Sequence, residues 1–420
     1  MRIHFIQGEK SNIAFFPDTL EIRKVTLEER IALEKQIEPV IYPEMKVEEN
    51  SDYFSTLILH VANTCNMKCA YCFANHGSYG SDEGVMSEET ALEAVDTYYG
   101  KYKRIKQIKF FGGEPFMNLP TMDAVCRHIE HKYLQGHIDA LPEYKVVTNG
   151  TIMPQVAMEL IKKYDIQVVF SMDGPEMIHD HARVFVNGKG TYQTIKNNFQ
   201  ALRTYTEGKQ PYGVELTYTA VHRKNGLLMK DVTDFFVREF EIDAKNVNIS
   251  PVSADEDSEY ALKDHNHCMV DSAKEIMRAL KLGEEAALDQ KLYFLIKKIK
   301  SGVKSDRQIC NAAWKWAAVS SKGDVFPCLM FVDREDYKLG NINNHLFEDE
   351  RYKKITEEWK HYDRFSKASC ANCFANNICI NCMGHNMDSS GSVYDKTPQQ
   401  CAAMRHLMEV MIEGIAEGVF

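Results

Sequence analysis

Three cysteines in the octapeptide CNMKCAYC, Cys65, Cys69 and Cys72, follow an apolar, strand-like run over residues 57–62. Their spacing suits three corners of an iron-sulfur cubane. A [4Fe-4S] cluster takes four ligands, so three thiolates leave one iron open to a small molecule. The competing reading of the same residues is a structural zinc knuckle or a set of buried free thiols.

Seven of the twelve cysteines crowd toward the C-terminal end: Cys310, Cys328 preceded by Pro327, then Cys370, Cys373, Cys379 and Cys382, and finally Cys401. The CxxC pairs suit tetrahedral zinc, and 370–382 read as a zinc ribbon. That reading leaves Cys310, Cys328 and Cys401 without a role. Cys126 and Cys268 stand alone and read as ordinary buried thiols.

The chain has 420 residues, 44% of them hydrophobic, and a formal charge of -10. Length allows two to three domains with a large core. An acidic balance argues against a nucleic-acid or anionic-membrane partner. The N-terminal MRIHFIQGEKSN lacks a signal-peptide core, and no run is long and apolar enough to cross a bilayer, so a cytoplasmic location is expected. In reducing cytosol so many cysteines point to metal ligation rather than disulfides.

Short apolar runs at 56–62, 107–111, 144–148, 167–172, 213–221 and 246–251 alternate with helical patterns. One of these is 87–104, with Ser87 as N-cap and Glu88 and Glu89 in its first turn. Strand followed by helix, six times over, predicts a parallel α/β sheet, either a curled barrel or a flat doubly wound sheet. Barrel enzymes place their chemistry at the C-terminal ends of strands. FFGGEP ends the second predicted strand, with Gly112 and Gly113 allowing close backbone approach and Glu114 and Pro115 following. TNG with Asn149 ends the third strand, and SMDGP with Ser171 and Asp173 ends the fourth. Each motif alone reads as a turn; three at consecutive strand ends read as a site.

CxxxCxxC with Tyr71 before its last cysteine resembles the signature of the radical S-adenosylmethionine (SAM) superfamily. The resemblance over residues 55–255 implies a partial (β/α)6 TIM-type barrel. It implies that SAM chelates the open iron and is split by one electron into methionine and a 5'-deoxyadenosyl radical, with the electron coming from an external donor such as flavodoxin or ferredoxin. It places SAM's amino group at Gly112–Pro115 (GGEP), its carboxylate near Asn149, its ribose at Ser171 and Asp173, and its adenine near Tyr71, Phe73 and residues 250–252. HDHAR resembles the family's HDxxR, in which Arg183 either binds the SAM carboxylate or braces a loop.

The seven later cysteines resemble the SPASM extension of this superfamily, with two residues rather than three between Cys379 and Cys382. The resemblance implies three [4Fe-4S] clusters in all. Cys370, Cys373, Cys379 and Cys401 would hold one auxiliary cluster, and Cys310, Cys328 and Cys382 another with an iron left open. The expected domains are a truncated leader-recognition-like unit at 1–52, the radical SAM barrel at 53–255, a helical bridge at 256–305 with a solvated face, and the SPASM domain with a C-terminal helix at 306–420. The N-terminal unit reads as a hairpin over 3–24 and a helix opened by the Thr26–Glu29 capping box and running to about residue 37. Strand addition of a leader peptide there stands beside a plain structural brace.

The stretch ANTCNMKCAYCFANHGSYG with FFGGEP is most similar to thioether-forming peptide maturases of the sactipeptide, ranthipeptide and six-cysteine-peptide group. The implied substrate is a cysteine-containing precursor peptide whose sulfur couples to a carbon radical, with the open auxiliary iron as the thiolate's anchor. Rival readings are a sulfatase-maturase-type oxidation of Ser or Cys to formylglycine, a peptide epimerase, and a multi-cluster electron carrier. Leu329 stands where the sulfatase maturases place an Asp base after the second auxiliary cysteine, with Asp324 or Asp333 as stand-ins. GGEP and SMDGP have no use in a carrier.

Overall fold

β-branched and aromatic runs become strands here, and the alternation of their side chains decides which face meets helices. The computed structural model describes residues 2–8, 12–38, 42–47, 52–209, 212–262 and 267–420. In chain order the strands are β1 His4–Gln7, β2 Asn12–Phe16, β3 Glu21–Val25, β4 Tyr53–Ala62, β5 Arg104–Gly112, β6 Glu143–Thr148, β7 Gln167–Ser171, β8 Tyr212–Tyr218, β9 Val247–Pro251, β10 Trp316–Val319, β11 Asp324–Phe326 and β12 Gly340–Asn341. Two compact units result. One joins Met1–Lys46, Tyr218–Cys310 and His361–Phe420; the other joins Val47–Thr217 and Asn311–Lys360.

In the second unit the sheet runs β12-β11-β10-β4-β5-β6-β7-β8. Neighbours from β10 to β8 are parallel, and β11 and β12 are antiparallel additions. Strands β4 to β8 lie in sequence order without the reversal that defines a doubly wound sheet, so right-handed crossovers carry the helices to one face, as in a barrel-type α/β fold. That face is apolar. Phe110 stacks on Tyr144 at 6.4 Å, and Phe170 meets Phe199 of helix Tyr192–Tyr205 edge-on at 5.3 Å. The opposite face carries Gln107, Lys109, Lys145, Gln167 and Glu215, all half-buried. Strand β10 was not expected from the sequence. It lies between Cys310 and Cys328 and pairs in parallel with β4, from Trp316 opposite Thr56 to Val319 opposite Leu59.

The first unit starts with β1, β2 and β3 as an antiparallel sheet, three strands where the sequence suggested two. β3 is mostly exposed and charged, so it carried no apolar signal. Residues 9–11, within the expected hairpin, lie outside the described residues, as do 48–51 at the expected domain boundary. The Thr26–Glu29 capping box forms in both directions, at 3.1 and 2.7 Å, but the helix ends earlier than expected, at Leu27–Glu34. The expected bridge forms as two helices whose Lys274, Arg278, Lys297 and Lys300 stay exposed on a solvated face. Helices Cys268–Lys281 and Gln290–Ser301 bury Ile276, Leu295 and Ile299 in one core with Ile13 and Phe15 of β2 and with Met408 and Met411 of helix Pro398–Ala416. Residues 263–266 of the expected helical stretch lie outside the described residues.

Candidate active site

In the second unit the loop after β4 carries Cys65, Cys69 and Cys72, all half-buried. It is held from two sides. On one side Gly113 N–H donates to Ala62 O at 2.7 Å and Glu114 N–H to Thr64 O at 2.9 Å. On the other side Lys68 N–H donates to Val184 O at 2.8 Å and Ala70 N–H to Ala182 O at 2.9 Å, and Met67 bridges Phe185. The first side admits only glycine. A Cβ on Gly113 would stand 2.2 Å from Thr64 O, and one on Gly77, at φ +98°, would stand 2.8 Å from Gly113 Cα. The GGEP glycines thus press the backbone against the cysteine loop.

Glu114 is fully buried. Its carboxylate accepts from Phe116 N–H at 3.0 Å, Thr148 Oγ1 at 2.7 Å and Asn149 N–H at 2.7 Å. Burial pushes its pKa up to about 7 against those three bonds, which favour the anion. The side chain ties the end of β5 to the end of β6. Pro115 is buried beside it in a short 3₁₀ turn. Asn149 Nδ2 lies 3.6 Å from Cys65 Sγ and donates to Asn66 Oδ1 at 2.9 Å.

Asp173 is buried at the end of β7. It accepts from Tyr71 OH and from Thr217 N–H at 3.0 Å, and pairs with Arg183 Nε at 3.0 Å. The guanidinium lies 5.5 Å over the Tyr71 ring. His179 Nδ1 accepts from Asp173 N–H at 3.2 Å, and its Nε2 meets Thr191 Oγ1 at 2.9 Å. HDHAR and SMDGP therefore form one network that reaches the cysteine loop through Tyr71. Ser171 is half-buried, whereas Phe73 is exposed, with its ring edge-on to Tyr79 at 5.9 Å. Burial pushes Cys65 up to about 12 and Cys69 up to about 11, so without iron these thiols hold their protons. Iron would displace them.

In the first unit, Cys370, Cys373, Cys379, Cys382, Cys401 and Cys310 are half-buried; Cys328 is buried in the second unit. Arg2 Nη1 donates to Ala371 O at 2.8 Å and Cys373 O at 3.1 Å. Buried Arg364 donates to Asn376 O at 2.9 Å, and its Nε has no hydrogen-bond partner. Lys396 Nζ lies 3.4 Å from Cys379 Sγ. Such cations suit thiolates of an anionic cluster, and soft sulfur donors suit iron-sulfur chemistry. Among the described residues no three His, Cys, Asp or Glu side chains converge on a single-ion site. Cubane thiolates each ligate a separate iron. Residues 250–252 lie in the first unit, where Lys291 Nζ stands 3.5 Å from Ser250 Oγ. Asp324 is engaged by Lys338 at 3.0 Å and Asn341 at 2.8 Å, and Asp333 by Ser81 at 2.9 Å. Cys126 and Cys268 are both buried.

Sequence reasoning passed over Lys109, Lys145 and Glu215. The available signal was polarity at alternate positions of strands whose parallel pairing calls for unbroken apolar runs.

Residues 59–222 match the radical SAM superfamily profile and residues 310–374 that of an iron-sulfur cluster-binding domain, SPASM. The chain is 25% identical over 392 residues to a radical SAM cyclopropyl synthase, TigE, of Paramaledivibacter caminithermalis, covering 87% of this chain and 75% of that one. It is 24% identical over 336 residues to a cysteine-type anaerobic sulfatase-maturating enzyme of Clostridium novyi, covering 76% and 84%. Among solved structures, native anSMEcpe with bound AdoMet and Cp18Cys peptide superposes with a TM-score of 0.69 at 19% identity, covering 88% of this chain and 100% of that one.

Proposed function

This chain carries a radical SAM domain and a SPASM iron-sulfur cluster-binding domain, and from that premise we propose that it is a peptide maturase that joins a substrate cysteine sulfur to carbon as a thioether. The observation that carries the radical reading is the doubly clamped cysteine loop, pinned to GGEP on one side and to residues 182–185 on the other. Cys65, Cys69 and Cys72 would hold a [4Fe-4S] cluster that, with bound SAM, would supply on reduction a carbon radical able to take hydrogen from an unactivated C–H. The chain's own residues position and enclose. The glycine contacts fix the loop, Asn149 orients Cys65, and Asp173 with Arg183 and Tyr71 presents a paired acid and base beside Cys69. GGEP, Asn149, Ser171, Asp173, Tyr71 and Phe73 remain our proposed SAM contacts.

We assign Cys370, Cys373, Cys379 and Cys401 to one auxiliary cluster and Cys310, Cys328 and Cys382 to another, making three in all. The partners are a cysteine-containing precursor peptide and an external electron donor of the flavodoxin or ferredoxin kind. The N-terminal sheet is the proposed leader-binding unit. Leu329 after Cys328 supports coupling over aldehyde formation. Among the described residues no helix is long and apolar enough to cross a membrane.

The test is mass analysis of a cysteine-containing peptide encoded beside the gene after anaerobic reaction. Thioether formation removes two hydrogens per linkage and protects the cysteine from alkylation. The same mass loss with the cysteine still alkylatable, or an aldehyde product, would overturn the linkage.

A further inference from the structure

The half-buried face of the parallel sheet in the second unit holds a charge arrangement that the radical chemistry does not use. Lys109 of β5 and Lys145 of β6 are partners in register, so two ammonium-bearing stems leave adjacent strands on the same face. Gln167 of β7 is the next partner of Lys145. Glu215 of β8 pairs in register with Ser171 and stands two residues before Thr217, whose N–H binds Asp173. This face therefore leads directly to the site. The Lys109 ammonium lies 4.9 Å over the Phe111 ring, and among the described residues neither lysine forms an ion pair. Glu215 and Cys328 are the acidic groups whose field reaches Lys109, and Glu215 alone reaches both lysines with a field opposing their loss of protons. Glu143, exposed two residues before Lys145, adds its field at Lys145 only, so the one carboxylate common to both cations is Glu215. On β4 beside them, His60 is fully buried with no hydrogen-bond partner on either ring nitrogen.

Like charges on neighbouring strands are destabilising unless something anionic joins them. Burial, the first cause for both lysines, already loosens their protons, and a bound anion would reverse that. A substrate peptide also has to present one C–H to the radical site, and a charged anchor at fixed depth does this more sharply than an apolar wall.

We propose that Lys109 and Lys145 hold a carboxylate of the substrate peptide, either an aspartate or glutamate side chain or the C-terminal carboxylate, and so set which residue is presented for hydrogen abstraction. This rests on the radical SAM reading above. The two sources share one chemistry and are separated by the test.

The probes are four synthetic peptides of one cysteine-containing sequence, carrying Asp or Asn at one position and ending in a free acid or an amide. Affinity is measured on the anaerobic holoenzyme with SAM, and deoxyadenosine release is read in the same samples. An acid-bearing peptide should bind about tenfold more tightly than its neutral twin, the scale of a charged hydrogen bond. Asp-dependence in the amide series identifies the side chain, and acid-dependence in the Asn series identifies the C-terminus. Lys109→Met and Lys145→Met, which keep the apolar stem, should abolish the discrimination, and Lys145→Arg should retain it. Equal binding of acid and neutral twins by the wild type, or discrimination that survives both Met variants, overturns the proposal. Absence of deoxyadenosine release instead strikes the radical SAM reading itself.

Discussion

Gly113→Ala tests the clamp on the cysteine loop. The added methyl would sit 2.2 Å from Thr64 O, 2.6 Å from Thr64 C and 2.9 Å from Gly77 Cα. All three are backbone atoms, so no rotamer change relieves the overlap; ordinary contact requires a shift of about 1 Å. That shift strains two bonds, Gly113 N–H to Ala62 O at 2.7 Å and Glu114 N–H to Thr64 O at 2.9 Å. Overpacking costs about 1–3 kcal/mol, and each weakened bond about 0.5–1.5 kcal/mol. The sum is about 2–6 kcal/mol, and its middle lowers the population of the loop's cluster-binding form roughly a thousandfold. The assay is iron content and deoxyadenosine release after anaerobic reconstitution and reduction. Gly100→Ala is the control, since nothing lies within 4 Å of its added methyl in helix Glu88–Lys101. It should be neutral or stabilising by up to about 1 kcal/mol. If Gly113→Ala loads iron and cleaves SAM as the wild type does, the packing argument is wrong.

Glu114 predicts a pH dependence. Its pKa is raised from 4.5 to about 7 by burial, so between those values the folded chain keeps a proton that the unfolded chain has released. Stability therefore falls as pH rises through that window, by about 1.4 kcal/mol per unit at most, and levels off above it. Urea unfolding of the iron-free protein at pH 5 and pH 8 should show this fall in the wild type and a weaker one in Glu114→Gln; equal slopes contradict it. Asp173→Asn leaves buried Arg183 without its anion and should cost about 3–5 kcal/mol in thermal or urea unfolding, with loss of SAM cleavage. Unchanged stability would show that Arg183 is satisfied by other groups. Cys328→Ala should stop peptide crosslinking while uncoupled SAM cleavage continues, whereas equal loss of both would reduce Cys328 to a structural thiol.

Much of this site was readable from spacing. Cys65, Cys69 and Cys72 share one short loop, and GGEP, TNG and SMDGP do end consecutive strands, because a parallel strand-helix repeat delivers its strand ends to one edge. Glu114 was less readable. Its partners Thr148 and Asn149 come from another strand, and only the fold reveals a carboxylate occupied by the chain's own donors. β10 escaped notice because four apolar residues between cysteines resemble a loop core, and nothing local tells Trp316–Val319 to pair with β4. β3 escaped for the opposite reason, since an exposed charged strand carries no period. The Lys and Glu residues of the helices at 268–301 signalled their solvated face, but nothing local told which distant residues Ile276, Leu295 and Ile299 would pack against.

The most direct measurement of the central claim is 5'-deoxyadenosine release by the anaerobically reconstituted, reduced protein, compared with a variant in which Cys65, Cys69 and Cys72 are all replaced by Ala. The wild type should release it. The variant should release none while losing about four irons and keeping those of the other cysteines. Continued release by the variant, or none from iron-loaded wild type, contradicts the account.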